Sequence, residues 1–354
     1  MSPAEPLSQK DVQAIDAAKF YYEGDDSHSG LAVSSGELAQ LRSFTAVAED
    51  LGTQEPAVAT LFAEKRIKWG CADLQTRNFS APEGTILAID VPYAPAWGKG
   101  GMLDVFGPDR LRSGLPVVVM IHGGSFMYGY KELNQKAAGM LANMGALVIN
   151  ISYPLAPQAT YTEQVRAVWQ ALQWAQANAV RWGAAGKLTL MGDSAGANLA
   201  WVAALAAQNR ELRLALQLPL GPSPEVGALA LISGVYDLSE LQGPREKSSS
   251  PCINLIADQF FDDAYWQAPK ILRRPELATR QSALPLILLC TSSDDYTRSA
   301  SLQLHSLLDE GDHVTKLFDF PATSHSLGHV FVTAKPNLEE SRIVLATMFD
   351  LINR

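Results

Sequence analysis

Gly192-Asp193-Ser194-Ala195-Gly196 sets a serine between small residues two positions away on either side. A serine hydroxyl attacks a carbonyl only when it stands clear of its own backbone. A sharp turn between a strand and a helix presents it that way and tolerates only small neighbours, hence glycine at 192 and 196. Lys187–Met191 before the motif reads as a strand, and the Ala- and Leu-rich Gly196–Ala207 after it reads as a helix. The N-terminus of that helix would aim backbone N–H groups, that of Ala195 among them, at developing negative charge. On its own the five-residue pattern recurs by chance; its place between strand and helix gives it weight.

The second pattern, His122-Gly123-Gly124-Ser125-Phe126, closes another strand-like run, Leu115–Ile121. Glycines let a backbone approach a substrate closely, and the N–H groups of Gly123 and Gly124 could bind the oxyanion of a tetrahedral intermediate together with Ala195. His122 is read as ordering this loop, not as the proton acceptor. The chemistry suggested is acyl transfer to Ser194, which needs no metal and no organic cofactor.

The elements that must hold these residues are legible from Leu115 onward. Strand-like runs at Leu115–Ile121, Ala146–Tyr153, Lys187–Met191, Ala228–Ser233, Leu284–Cys290 and Val314–Phe320 alternate with helical patterns at Thr162–Ala179, Gly196–Ala207, Ala300–Leu308 and Glu339–Ile352. Several runs are continuous Val, Ile and Leu, as in strands buried on both faces of a parallel sheet. The alternation implies an α/β fold, a mostly parallel central sheet flanked by helices. Two stretches stand apart. Residues 1–80 read as helical and polar, and residues 238–283 form an insertion with a polar loop at 243–251 and an aromatic segment at 260–266. We expect both to contribute a cap over a catalytic domain spanning 81–354. Phe260, Phe261 and Trp266 could wall a pocket or form the insertion's own core.

Taken together, the two glycine-framed motifs resemble the hormone-sensitive-lipase-like branch of the α/β-hydrolase superfamily. Ser152-Tyr153-Pro154-Leu155-Ala156-Pro157 resembles that branch's "YRLAP" segment, with Pro154 where arginine is usual. The resemblance covers roughly residues 85–354, and Ser125 departs from it where a third glycine usually stands. It implies an α/β-hydrolase fold, carboxylic ester hydrolysis of small or short-acyl substrates, and a chain order of nucleophile, acid, base. The family's acid follows the strand at Leu284–Cys290 and maps to Asp294, with Asp295 the alternative. The base falls in Ser324-His325-Ser326-Leu327-Gly328-His329. The downstream Val330-Phe331, Pro336 and Glu340-Ser341 match a related esterase subgroup and favour His329 over His325. Two other functions remain open: hydrolysis of aryl-formamides or other amides on the same fold, and small-molecule binding without catalysis.

Composition narrows the partners. With 28 basic and 37 acidic side chains the chain carries a formal charge of −9, and no Lys/Arg run is present to engage nucleic acid or an anionic membrane. The apolar run Leu199–Ala207 is far below the ~20 residues of a membrane span. The N-terminal residues lack the basic and apolar regions of a secretory signal, and three scattered cysteines form no CxxC pair. A soluble cytoplasmic enzyme acting on a small-molecule ester is therefore expected. The oligomeric state is not legible.

Overall fold

The computed structural model describes residues 35–45, 56–77, 79–219, 221–239 and 260–353. Eight strands form one sheet in the order β1-β2-β4-β3-β5-β6-β7-β8. They are β1 (Ile86–Pro92), β2 (Met102–Phe106), β3 (Leu115–Ile121), β4 (Leu147–Ile151), β5 (Ala184–Asp193), β6 (Val226–Ile232), β7 (Leu286–Ser292) and β8 (Thr315–Phe320). From β4 to β8 every pairing is parallel, whereas β2 runs antiparallel to both β1 and β4. The six expected strands are all present, with ends shifted by a few residues. β1 and β2 were not expected. β1 is half exposed at the sheet edge and its register slips twice against β2, so it carries no period-two signature.

The central strands are buried on both faces because helices cover both. In β3, Val117, Val119 and Ile121 join one apolar layer with α4 (Tyr161–Asn178) and α5 (Ala195–Gln208). Val118 and Met120 point the other way, into a second layer with α3 (Gln135–Met144) and α7 (Glu339–Ile352). This alternation of side-chain direction lets a single Val/Ile/Met run serve two cores. The remaining long helices are α1 (Ser35–Phe44) and α2 (Pro56–Thr76) near the N-terminus and α6 (Arg298–Glu310) after β7.

Helix α4 begins at a capping box in which Thr160 accepts from the Glu163 N–H and Glu163 accepts from the Thr160 N–H. The same end anchors the insertion. Asp262 accepts from the hydroxyls of Thr160 and Thr162, both at 2.6 Å, while also capping the short helix at Asp263–Gln267. Phe260 and Phe261 are buried against Tyr161 and Tyr265. These aromatics join the main apolar core, through Tyr161 of α4 and Phe126 of the loop after β3, and do not form a separate core of the insertion. The polar loop at 243–251 lies outside the described residues, as do residues 1–34.

Candidate active site

Ser194 sits at the junction of β5 and α5 with φ +51° and ψ −118°, a conformation that few residues other than glycine adopt. Its N–H donates to the carbonyl of Ile232 on β6. The turn is closed by contacts that only glycine permits. A Cβ at Gly196 would lie 2.1 Å from the carbonyl oxygen of Ile121, and one at Gly192 would lie 2.3 Å from that of Gly196.

The loop after β3 wraps around this turn. Gly123 abuts the serine, and its N–H donates to Asp193 Oδ2 at 3.2 Å, a carboxylate that also accepts from Asn134 at 3.2 Å. Burial raises Asp193 above the usual carboxylate range, against the opposing pull of the Arg77 charge and those hydrogen bonds. Gly124, Ser125 and Phe126 follow with φ of +116°, +51° and +65°. His122 is fully buried, its ring stacked on Tyr153 at 4.2 Å and its Nδ1 2.7 Å from the Gly123 carbonyl. Burial pushes its pKa down to about 4, so it stays neutral, and a neutral ring can donate that Nδ1–H to the carbonyl.

The turn after β7 separates the two adjacent aspartates. Asp294 turns toward the loop that follows β8, accepting from Gly328 N–H at 3.0 Å and from the hydroxyls of Ser326 at 2.8 Å and Ser292 at 2.7 Å. Asp295 points inward. Its Oδ1 lies 2.9 Å from Nδ1 of His329 and also accepts from the Thr297 N–H and hydroxyl, while Oδ2 accepts from Thr291. Burial pushes Asp295 upward, but the bond to His329, that ring's charge and the Thr297 N–H outweigh it, leaving it below the ordinary carboxylate value. The carboxylate at the His329 ring is therefore that of Asp295, not the expected Asp294. Successive side chains leaving a strand face opposite ways, and Asp294 is taken up in holding the loop that carries the histidine.

His329 and Ser194 both line a cavity of about 650 Å³. Tyr296 stands at its edge, its hydroxyl 2.9 Å from His329 Nε2 and its ring 4.3 Å from the imidazole. His325 is partly exposed and pairs with Glu340 at 3.4 Å. Cys71 and Cys290 are buried free thiols outside the cavity lining, and Cys252 lies outside the described residues.

The far wall of the cavity comes from α2, through Trp69, Asp73 and Thr76, and from Arg77 just beyond it. Asp73 accepts from the Tyr128 hydroxyl and from Arg77 Nε, both at 2.5 Å, and Trp69 packs edge-on against Tyr128. Arg66, almost wholly buried, donates to the carbonyls of Met127 at 2.8 Å and Ala156 at 2.7 Å. Sequence reasoning placed a helical region here but named none of these residues, because its signals all lay after residue 80. Among the described residues no three His, Cys, Asp or Glu side chains converge as metal ligands would, and no helix is long and apolar enough to cross a membrane.

A family model described as alpha/beta hydrolase fold matches residues 118–329, more than half of the chain. The chain is similar to Esterase LipQ of Mycobacterium tuberculosis, 29% identical over 161 residues that make up 44% of this chain and 37% of that protein. It is also similar to kynurenine formamidase of Danio rerio, 29% identical over 183 residues, 51% of this chain and 56% of that protein. The match thus spans between about a third and just over half the length of these relatives. Among solved structures, esterase B from Lactobacillus rhamnosis, in a structure with a tributyrin phosphonate, superposes with a TM-score of 0.68 at 21% identity. That alignment covers 91% of this chain and 97% of the other. At this identity the likeness is one of fold.

Proposed function

The chain belongs to the alpha/beta hydrolase fold family, and from that premise we propose that it is a carboxylic ester hydrolase working through Ser194, His329 and Asp295. The observation that carries the reading is that His329, held through Nδ1 by the buried Asp295, lines the same cavity as Ser194. Asp295 accepts only, so the neutral imidazole carries its proton on Nδ1 and keeps Nε2 as the base. Nε2 takes the Ser194 proton as Oγ attacks the substrate carbonyl. It returns that proton to the leaving alcohol as the C–O bond breaks, and water then repeats the cycle on the acyl-enzyme.

The oxyanion would be held by backbone N–H groups at the start of α5 and in the loop after β3. Gly123 was expected among them, but its N–H is directed at Asp193. The loop's donors then move one residue along, to Gly124 and Ser125, with Ala195 opposite. Each such donor contributes roughly 3 kcal/mol of transition-state stabilisation. The cavity volume suits a small or short-acyl ester. The helices before residue 80 and the segment around 260–281 belong, in this reading, to a cap on a catalytic domain that begins near residue 81. The enzyme needs no cofactor.

Short p-nitrophenyl esters test this directly. Ser194→Ala and His329→Ala should remain folded and lose turnover by orders of magnitude, while His325→Ala keeps most of it. Near-native hydrolysis by Ser194→Ala would overturn the assignment. The likeness to a kynurenine formamidase favours a second reading, hydrolysis of N-formyl aromatic amides. Comparing formyl-arylamines with aryl acetates decides between them.

A further inference from the structure

We propose that Tyr296 reads the leaving group: in the free enzyme its hydroxyl occupies the station beside His329 Nε2 that the leaving oxygen takes during the reaction. The proposal rests on the esterase reading above and deepens it by assigning the alcohol side of the cavity.

The argument is geometric. Whatever leaves must accept a proton from Nε2, so its oxygen must come within hydrogen-bond reach of that atom. The Tyr296 hydroxyl is already there, at 2.9 Å. Because Nδ1 is turned to Asp295, the neutral ring offers one lone pair, at Nε2, and Tyr296 donates into it. Two oxygens within hydrogen-bond distance of one nitrogen lie at most about 6 Å apart. The leaving oxygen is therefore brought within about 6 Å of the Tyr296 hydroxyl position, which sets the first atoms of the leaving group beside the Tyr296 side chain wherever the acyl chain lies.

The ring completes the site. One side of it rests on the imidazole, with centroids 4.3 Å apart and planes tilted by 37°. Yet the residue is 43% exposed, which leaves aromatic surface at the edge of the cavity. A rigid aromatic surface next to the departing oxygen favours aryl over alkyl alcohols, through stacking that such pairs contribute beyond area burial. When substrate enters, the phenolic O–H gives up Nε2, and the Ser194 proton takes its place there. The proton then passes to the leaving aryloxide oxygen as the ester C–O bond breaks, so no oxidant or further reactant enters.

Phenyl acetate and ethyl acetate share one acyl-enzyme, so the ratio of their kcat/KM values isolates the leaving-group step from deacylation. Tyr296→Ala should lower the phenyl-to-ethyl ratio about 3- to 10-fold relative to the wild type, chiefly through KM for phenyl acetate. Tyr296→Phe keeps the ring and should keep the ratio, while changing both rate constants by one common factor. A thermal melt of each variant establishes that it is folded. An unchanged ratio in Tyr296→Ala, including one in which both substrates slow equally, would overturn the proposal and make Tyr296 a mere support for His329. Activity surviving in Ser194→Ala would strike at the esterase reading instead, so the two failures are distinguishable.

Discussion

Nδ1 of His329 lies 2.9 Å from Oδ1 of Asp295, while the neighbouring Asp294 spends its carboxylate on the Gly328 N–H and two serine hydroxyls. Two adjacent acids thus hold the same histidine at two levels. Asp295 orients the ring, and Asp294 fixes the loop on which the ring is mounted.

This division predicts unequal effects from the same chemical change. Asp295→Asn can present an amide N–H to Nδ1, which inverts the tautomer, and kcat should fall by about 10⁴. Asp294→Asn keeps its acceptor oxygen for the Gly328 N–H and should cost less than about tenfold, with KM rising as the loop loosens. Steady-state kinetics on one aryl acetate checks both. Equal losses would mean that the ring is held otherwise than described.

The contrast also explains what the sequence could and could not reveal. Strand β3 and the Gly192–Gly196 turn were readable because their constraints are local: buried apolar runs, and glycines that no Cβ could replace. Asp294 and Asp295 are one residue apart, and what separates them are partners more than 30 positions away, Gly328 and His329. A local clue did exist. Asp295 Oδ1 accepts from the N–H and hydroxyl of Thr297, just before α6, a short-range turn signature of Asp followed two residues later by Thr. Likewise, β1 was hidden by its irregular register, and the contribution of α2 by the absence of any motif in it.

His122 should make folding stability depend on pH in a definite direction. Its folded-state pKa of about 4 lies below the ordinary value of 6.5, because burial disfavours the charged ring. The unfolded chain therefore binds more protons between pH 6.5 and 4, and stability present above pH 6.5 is lost as pH falls through that window. The full effect is on the order of 3 kcal/mol, with about 2 kcal/mol of it lost between pH 7 and 5. Asp193, raised by burial, acts in the opposite sense, losing stability as pH rises. The measurement is thus a comparison of urea midpoints for wild type and His122→Asn at both pH values. The variant should show a smaller loss on acidification; parallel losses would contradict a buried neutral imidazole.

Arg66 joins α2 to the loops beside the nucleophile. Arg66→Ala removes the donor from two carbonyls, those of Met127 and Ala156, and each buried acceptor left unsatisfied costs about 1–3 kcal/mol. We expect a destabilisation of about 2–5 kcal/mol in chemical denaturation, and a lower kcat as the loop carrying Gly124 loses its brace. A surface-like effect under about 0.5 kcal/mol would show that α2 is not tied to the site.

The wall built by Trp69, Asp73 and Arg77 lies wholly outside the stretch shared with the family, which begins at residue 118. One side of the cavity is thus encoded apart from the stretch that carries Ser194, Asp295 and His329. Substitutions at cavity-lining Trp69 or Thr76 should reshape that side while leaving the His329–Asp295 contact in place. A fragment trimmed to the shared stretch would keep Ser194, Asp295 and His329 in its sequence yet lack Trp69, Asp73 and Arg77, and with them one side of the cavity.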